Sequence, residues 1–191
     1  MKGFKKVFVI LVLLVLILSH VNFVDSVEYG LDYDGNGNLI KDDKFEYEYN
    51  VFNNLVKIRD GRNIIAEYFY DYNGERIKKV ENEKITYYVG DFLREVNGND
   101  KEDTIYYYHN GQLIAKEGDE KNYYYPDHLG STNLITDEDG NVEKEMNYLP
   151  FGESLVDNDE KYTFTGQEYD DETGLMYYGA RYYSPDLRRA P

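Results

Sequence analysis

After residue 26 the chain alternates aromatic and charged residues in short runs. Phe45-Glu46-Tyr47-Glu48-Tyr49 and Glu67-Tyr68-Phe69-Tyr70-Asp71-Tyr72 place rings at every second position, with charged residues between except at Phe69. A period of two predicts strands with rings on one face and charges on the other. Tyrosine and phenylalanine also favour the pleated, half-buried surface of a sheet. Between the runs lie Asn-Gly and Asp-Gly pairs, which tolerate positive φ and form the tight turns of β-hairpins. No stretch beyond residue 26 keeps a 3.6-residue apolar period, so the prediction is an all-β meander of antiparallel hairpins.

The hairpins come from a repeated unit: an aromatic residue, several polar residues, then an aliphatic pair. It recurs as Tyr33-Asp34-Gly35-Asn36-Gly37-Asn38-Leu39-Ile40, Tyr49 to Val56, Tyr70 to Ile77, Tyr88 to Leu93 and Tyr108 to Ile114, with leading tyrosines sixteen to twenty-one residues apart. Such self-similarity marks a repeat scaffold. Five or six hairpins of this kind leave two open sheet edges, and open edges invite pairing with other strands.

The first segment has a different character. Lys2, Lys5 and Lys6 precede an unbroken apolar run from Val7 to Leu18, and slender residues precede a cleavage point between Ser26 and Val27. This predicts a secretory signal-peptide helix over 1–26, with retention as an anchor the alternative. The apolar run is shorter than the roughly 20 residues of a membrane span. A secreted or cell-surface location follows, with no membrane contact beyond the signal peptide. The chain has no cysteine, so no disulfide supports the exported fold. The formal net charge of −16 excludes nucleic acid and anionic membrane surfaces as partners.

Past residue 122 the turns become more closely specified. Pro126-Asp127-His128-Leu129-Gly130-Ser131 predicts a reversal between strands 122–125 and 132–136, and Asp139-Gly140 predicts the next. Further turns are expected at Leu149-Pro150-Phe151-Gly152, at Phe164-Thr165-Gly166-Gln167 and at Asp171-Glu172-Thr173-Gly174-Leu175. Tyr177-Tyr178-Gly179-Ala180-Arg181-Tyr182-Tyr183 is expected as one aromatic strand, with Arg181 stacked between tyrosine pairs as a structural pin, a ligand clamp being the competing reading.

This run, from Tyr123 to Pro185, resembles the RHS-repeat-associated core of the RHS/YD-repeat family, which includes the shells of teneurins and bacterial toxin complexes. With the signal peptide 1–26 read from its own residues, the resemblance divides the rest into YD-type hairpins 27–122 and a core region 123–191, truncated at its C-terminal end. It implies a segment of spiral sheet from a hollow shell that encloses and delivers a C-terminal effector. Pro185-Asp186-Leu187-Arg188-Arg189-Ala190-Pro191 departs from the family pattern, in which a Gly-Arg-Phe step leads to an aspartyl self-cleavage segment and a variable toxin. The expectation is therefore a scaffold without cleavage segment or cargo, with no protease residue to carry over.

Catalytic chemistry finds little support. His20, His109 and His128 have no spacing that implies a triad, and acidic pairs are too abundant to single one out as glycosidase partners. A calcium loop has a better claim. Asp32, Asp34 and Asn36 occupy the first ligand positions of an EF-hand-like pattern, Gly37 the sixth, and Asp43 the twelfth, with Asn38 beside them. The flanks are extended rather than helical, so an ordinary hairpin turn is the competing reading, and no other cofactor is expected.

The sequence thus points to a non-enzymatic, exported structural scaffold. Its expected partners are other shell segments or a separately encoded effector. The alternative is a cell-surface adhesion module that binds carbohydrate or protein through tyrosine-rich strands. Inhibition of a neighbouring toxin is a further alternative. Neither Val27-Glu28-Tyr29 nor Arg188-Arg189 forms an evident cap, so self-association or marginal folding of the isolated chain is expected.

Overall fold

The computed structural model describes residues 30–156 and 159–190. The signal segment 1–26 and its cleavage point at Ser26 and Val27 lie outside the described residues. A sheet of 13 strands dominates the fold, and its spatial order is its chain order. The first five strands are β1 (Asp32–Tyr33), β2 (Leu39–Lys41), β3 (Glu46–Tyr49), β4 (Leu55–Asp60) and β5 (Asn63–Tyr70). Next come β6 (Arg76–Glu81), β7 (Lys84–Val89), β8 (Phe92–Asn97) and β9 (Asp100–His109). The sheet ends with β10 (Gln112–Glu117), β11 (Lys121–Pro126), β12 (Thr132–Thr136) and β13 (Val142–Glu145). Every pairing is antiparallel, and the sheet stays open, with β1 and β13 at its edges. β11 carries it without interruption through residues 122 and 123.

The repeated unit has a specific geometry. In four of the five units the leading tyrosine pairs with the first aliphatic or equivalent residue of the next strand: Tyr33 with Leu39, Tyr49 with Leu55, Tyr70 with Arg76 and Tyr108 with Leu113. The next residue, Ile40, Val56, Ile77 or Ile114, is skipped by the register as a β-bulge. The aliphatic pair therefore splits its duties: Leu39, Leu55 and Leu113 are buried, while Ile40, Ile77 and Ile114 are exposed.

Five turns share one hydrogen-bonding plan. Asp34 Oδ1 accepts the N–H groups of Asn36 and Asn38, and Asn50, Asp71, Asp127 and Asp137 each accept the corresponding pair. The short acidic or amide side chain closes the turn on its own backbone. The turn after Tyr148 keeps the backbone bonds, Leu149 N–H to Glu153 O and Gly152 N–H to Leu149 O, without the carboxylate.

After β13 the chain leaves the meander. A 3-10 turn at Phe164–Gly166 precedes a separate three-stranded sheet of β14 (Glu168–Asp170), β15 (Leu175–Tyr177) and β16 (Tyr182–Tyr183). The single aromatic strand expected over 177–183 is thus a hairpin. Gly179 adopts φ 76°, and Tyr178 N–H bonds to Arg181 O, which reverses the chain between the tyrosine pairs.

This small sheet covers one end of the large one. Leu175, Tyr182 and Leu187 join Leu39, Phe45, Tyr47, Leu55, Ile58, Ala66 and Tyr68 in one buried cluster. Farther along, Leu93, Tyr106, Leu113, Tyr124, Ile135 and Met146 form a second, with Tyr88, Tyr148 and Tyr162 packed against it. Tyrosines on the opposite face stay exposed, among them Tyr87, Tyr107, Tyr123 and Tyr125.

Candidate functional site

The side chain that stands out is Arg76. It occupies the position held by Leu39, Leu55 and Leu113 in the other bulged units, and the bulge at Ile77 brings it to the same face as Lys79 and Glu81. All three are buried. The second sheet supplies their counter-charges. Arg76 Nη1 donates to Asp170 Oδ2 at 2.8 Å, and Lys79 Nζ donates to Asp170 Oδ1 at 2.5 Å. Arg76 Nη2 lies 2.6 Å from Glu168 Oε2, a close charge contact without hydrogen-bond alignment. Lys79 also pairs with Glu81 at 2.8 Å and lies 3.4 Å from Glu168.

Tyrosines enclose this lattice. The Arg76 guanidinium carbon lies 4.2 Å from the centre of the Tyr177 ring, 5.0 Å from Tyr88, 5.5 Å from Tyr68 and 5.7 Å from Tyr182. Desolvated cation–π contacts of this kind favour the charge. Tyr88 Oη donates to Glu168 Oε1 at 2.7 Å, and Arg76 N–H donates to Tyr177 Oη at 3.1 Å. At the rim, Lys161 Nζ lies 2.8 Å from Glu95 and 3.6 Å from Glu168.

Burial disfavours the Arg76 cation, but Asp170 and Glu168 outweigh it and hold its pKa well above the usual value. Lys79 behaves in the same way. For Glu168 burial works to raise the pKa, and Arg76, Lys79 and Lys161 together drive it far below the carboxylate range. Glu81 fares otherwise. Burial and the nearby Asp170 push its pKa up to about 7 against the pull of Lys79, and its Oε1 has no hydrogen-bond partner. The lattice is sealed and its charges are mutually neutralised, so its chemistry is that of docking: it fixes β14 over β6.

The core-motif residues meet around this dock. Thr165 N–H donates to Ser131 Oγ, and Thr132 N–H to Thr163 O, which joins the Pro126 to Ser131 turn to the 3-10 turn. Gly130 and Gly166 permit the approach, since a Cβ on Gly166 would lie 3.1 Å from Gly130 O. His128 and Leu129 form the exposed tip of that turn. Gly152, at φ +91°, admits the Phe164 ring, while Tyr183 Oη donates to Phe151 O beside Pro150. Gly174 N–H and Thr173 Oγ1 bond to Asp170 O, and Leu175 and Tyr182 are buried.

Arg181 differs from its sequence reading. It is exposed with Ala180 in the bend before β16, and in this region the cation over tyrosine faces is Arg76. The hairpin reversal carries the Arg181 side chain away from the rings that flank it in sequence. Arg76 could have been found beforehand, as the one charged residue at an otherwise leucine position among the bulged units. The loop considered for calcium places Asp34 Oδ2 on Asn38 Nδ2, the Asn36 and Asn38 amides on Asn53 Oδ1, and Asp43 Oδ1 on Gly30 N–H. Asp32 lies exposed in β1.

Comparison with known proteins agrees with this architecture. The tRNA(Glu)-specific nuclease WapA of Bacillus subtilis subsp. natto is 37% identical over 171 residues, and tRNA nuclease WapA of Bacillus subtilis is 35% identical over the same length. Each match covers 81% of this chain but 7% of the relative. Salivary gland surface protein 1 of Aedes aegypti is 33% identical over 190 residues, covering 82% of this chain and 6% of the relative. Among solved structures, TcdB2-TccC3 superposes with a TM-score of 0.71 at 22% identity, over 83% of this chain and 10% of that one. The Tc holotoxin pore of Photorhabdus luminescens gives 0.68 at 21% identity, over 80% and 9%. These likenesses show a shared fold. The Teneurin YD-shell family profile matches residues 20–189, and with its bulged Tyr repeat and docked second sheet the chain belongs to that family.

Proposed function

We propose that the chain is a wall segment of an exported YD shell, a structural element that encloses or delivers an effector and performs no catalysis itself. The observation that carries this reading is the lattice of Arg76 and Lys79 with Glu168 and Asp170, which joins the second sheet to the open meander. On this reading the buried, paired charges select one docking geometry of the second sheet over others that apolar contact alone would permit. The open edges at β1 and β13 leave the wall able to continue into other shell segments or against an effector chain.

A chimera tests the proposal. This chain replaces the matching segment of WapA, and the C-terminal part of the chimera is challenged with added protease after secretion. Protection equal to that of unmodified WapA is expected, and rapid loss of the C-terminal part would overturn the wall reading. Incubation of the full chain alone with total tRNA is expected to leave the tRNA intact, whereas cleavage would show an intrinsic nuclease. The reading needs no cofactor. Because the Asp34 carboxylate already closes its own turn, calorimetric titration with Ca²⁺ is expected to show no binding at millimolar concentration.

A further inference from the structure

Docking of the second sheet creates a cleft that neither part forms alone. It lies between the turns at 34–38 and 50–54 on one side and the bend at 179–182 on the other, with a volume of about 350 Å³. That is within the roughly 300–1,000 Å³ of small-ligand clefts. We propose that this cleft binds a sugar acid, a saccharide unit that bears a carboxylate.

The lining supports that class through groups that the fold leaves unused. Tyr49 Oη is buried at the wall with no hydrogen-bond partner. An unmet buried hydroxyl is costly unless a ligand or water completes it. Asn53 is held at φ 61°, with its Oδ1 accepting from both Asn36 and Asn38, so its Nδ2 stays available. Asn54 also lines the cleft, and its backbone, not its side chain, makes the turn bond to Asn50. Amides that offer donor and acceptor together suit sugar hydroxyls. Phe52, 79% exposed at the mouth, offers a ring face for the apolar side of a pyranose. Arg181, exposed in the opposite wall, supplies the fork that matches a carboxylate.

A phosphate site would call for several cations or a fan of backbone N–H groups, and here one guanidinium faces amides and phenols. The exposed Phe52 ring, which packs nothing in the fold, also finds its use in a bound ligand. This proposal is independent of the shell reading: a wall segment can lack the ligand, and a binding module can lack the shell.

The test is calorimetric titration of the full chain with glucuronate and galacturonate, against glucose, galactose and acetate. The asparagine side-chain amide signals are followed by NMR in parallel. Saturable binding of a uronate with millimolar affinity is expected, with shifts confined to Asn53, Asn54 and their neighbours. Arg181→Gln is expected to weaken uronate binding roughly tenfold, the scale of one charge-assisted hydrogen bond. Phe52→Ala is expected to weaken uronate and parent sugar alike. Both side chains are exposed, and unchanged circular dichroism would confirm intact folding. No uronate binding, equal binding of acetate, or equal uronate affinity in the Arg181→Gln variant would each overturn the proposal.

Discussion

At the scale of single residues, Arg76 changes the character of a repeat position. Leucine at 39, 55 and 113 contributes burial alone, whereas arginine at 76 contributes burial and a demand for carboxylates that Glu168 and Asp170 meet. Arg76→Leu restores the repeat but removes one partner of a buried lattice. The expected loss is about 3–5 kcal/mol, read as a lower melting temperature, because Glu168 and Asp170 would stay buried with less compensation. A variant that melts with the parent chain would show that Lys79 suffices. Glu81 governs the pH response. Its folded pKa of about 7 lies above the ordinary glutamate value of 4.5, so the folded state binds its proton more tightly. Its contribution is full below pH 4.5 and is lost as pH rises through 7. Glu168 has the opposite sign, and its contribution is lost only in strong acid. Denaturant unfolding is therefore expected to show stability falling between pH 4.5 and 7, and Glu81→Gln to flatten that slope.

Single elements show how a repeat grammar becomes geometry. The bulge opposite the leading tyrosine of four units lets the first residue of the aliphatic pair face the core and the second face solvent, which is why a pair recurs rather than one residue. The Tyr148 to Glu153 turn lacks the aspartate and is held by packing instead. A Cβ on Gly152 would stand 2.6 Å from Phe164 Cδ1, at a φ of +91° that L residues rarely adopt. Gly152→Ala is thus expected to cost about 1–3 kcal/mol, the range of an overpacked site. Its transition in urea should move to lower concentration at constant slope, and an unmoved midpoint would show that Phe164 can yield.

The whole molecule is an open sheet stabilised from one face. Two buried clusters lie beneath the covering segment, and β1 and β13 have no strand on their outer sides among the described residues. Such edges promote pairing between chains. Sedimentation of the full chain is expected to show concentration-dependent association. Val142→Lys places a charge on exposed β13 and should shift the chain toward monomer. A parent chain that is monomeric at all concentrations would count against the edges as contact surfaces.

The amino-acid sequence alone determined the local structure, because its determinants are local. Alternating rings set the strands, Asn-Gly and Asp-Gly set the turns, and strand 132–136 has the expected bounds. The tertiary structure decided where the last strands went. Glu168–Asp170, Leu175–Tyr177 and Tyr182–Tyr183 carry the same tyrosine and turn chemistry as the meander, yet they form a second sheet above it. That choice rests on contacts between residues about ninety positions apart, Arg76 and Lys79 with Glu168 and Asp170, which no local period encodes. The local reversal at Gly179 turned Arg181 out to the cleft, and the long-range docking put Arg76 among the tyrosines in its place.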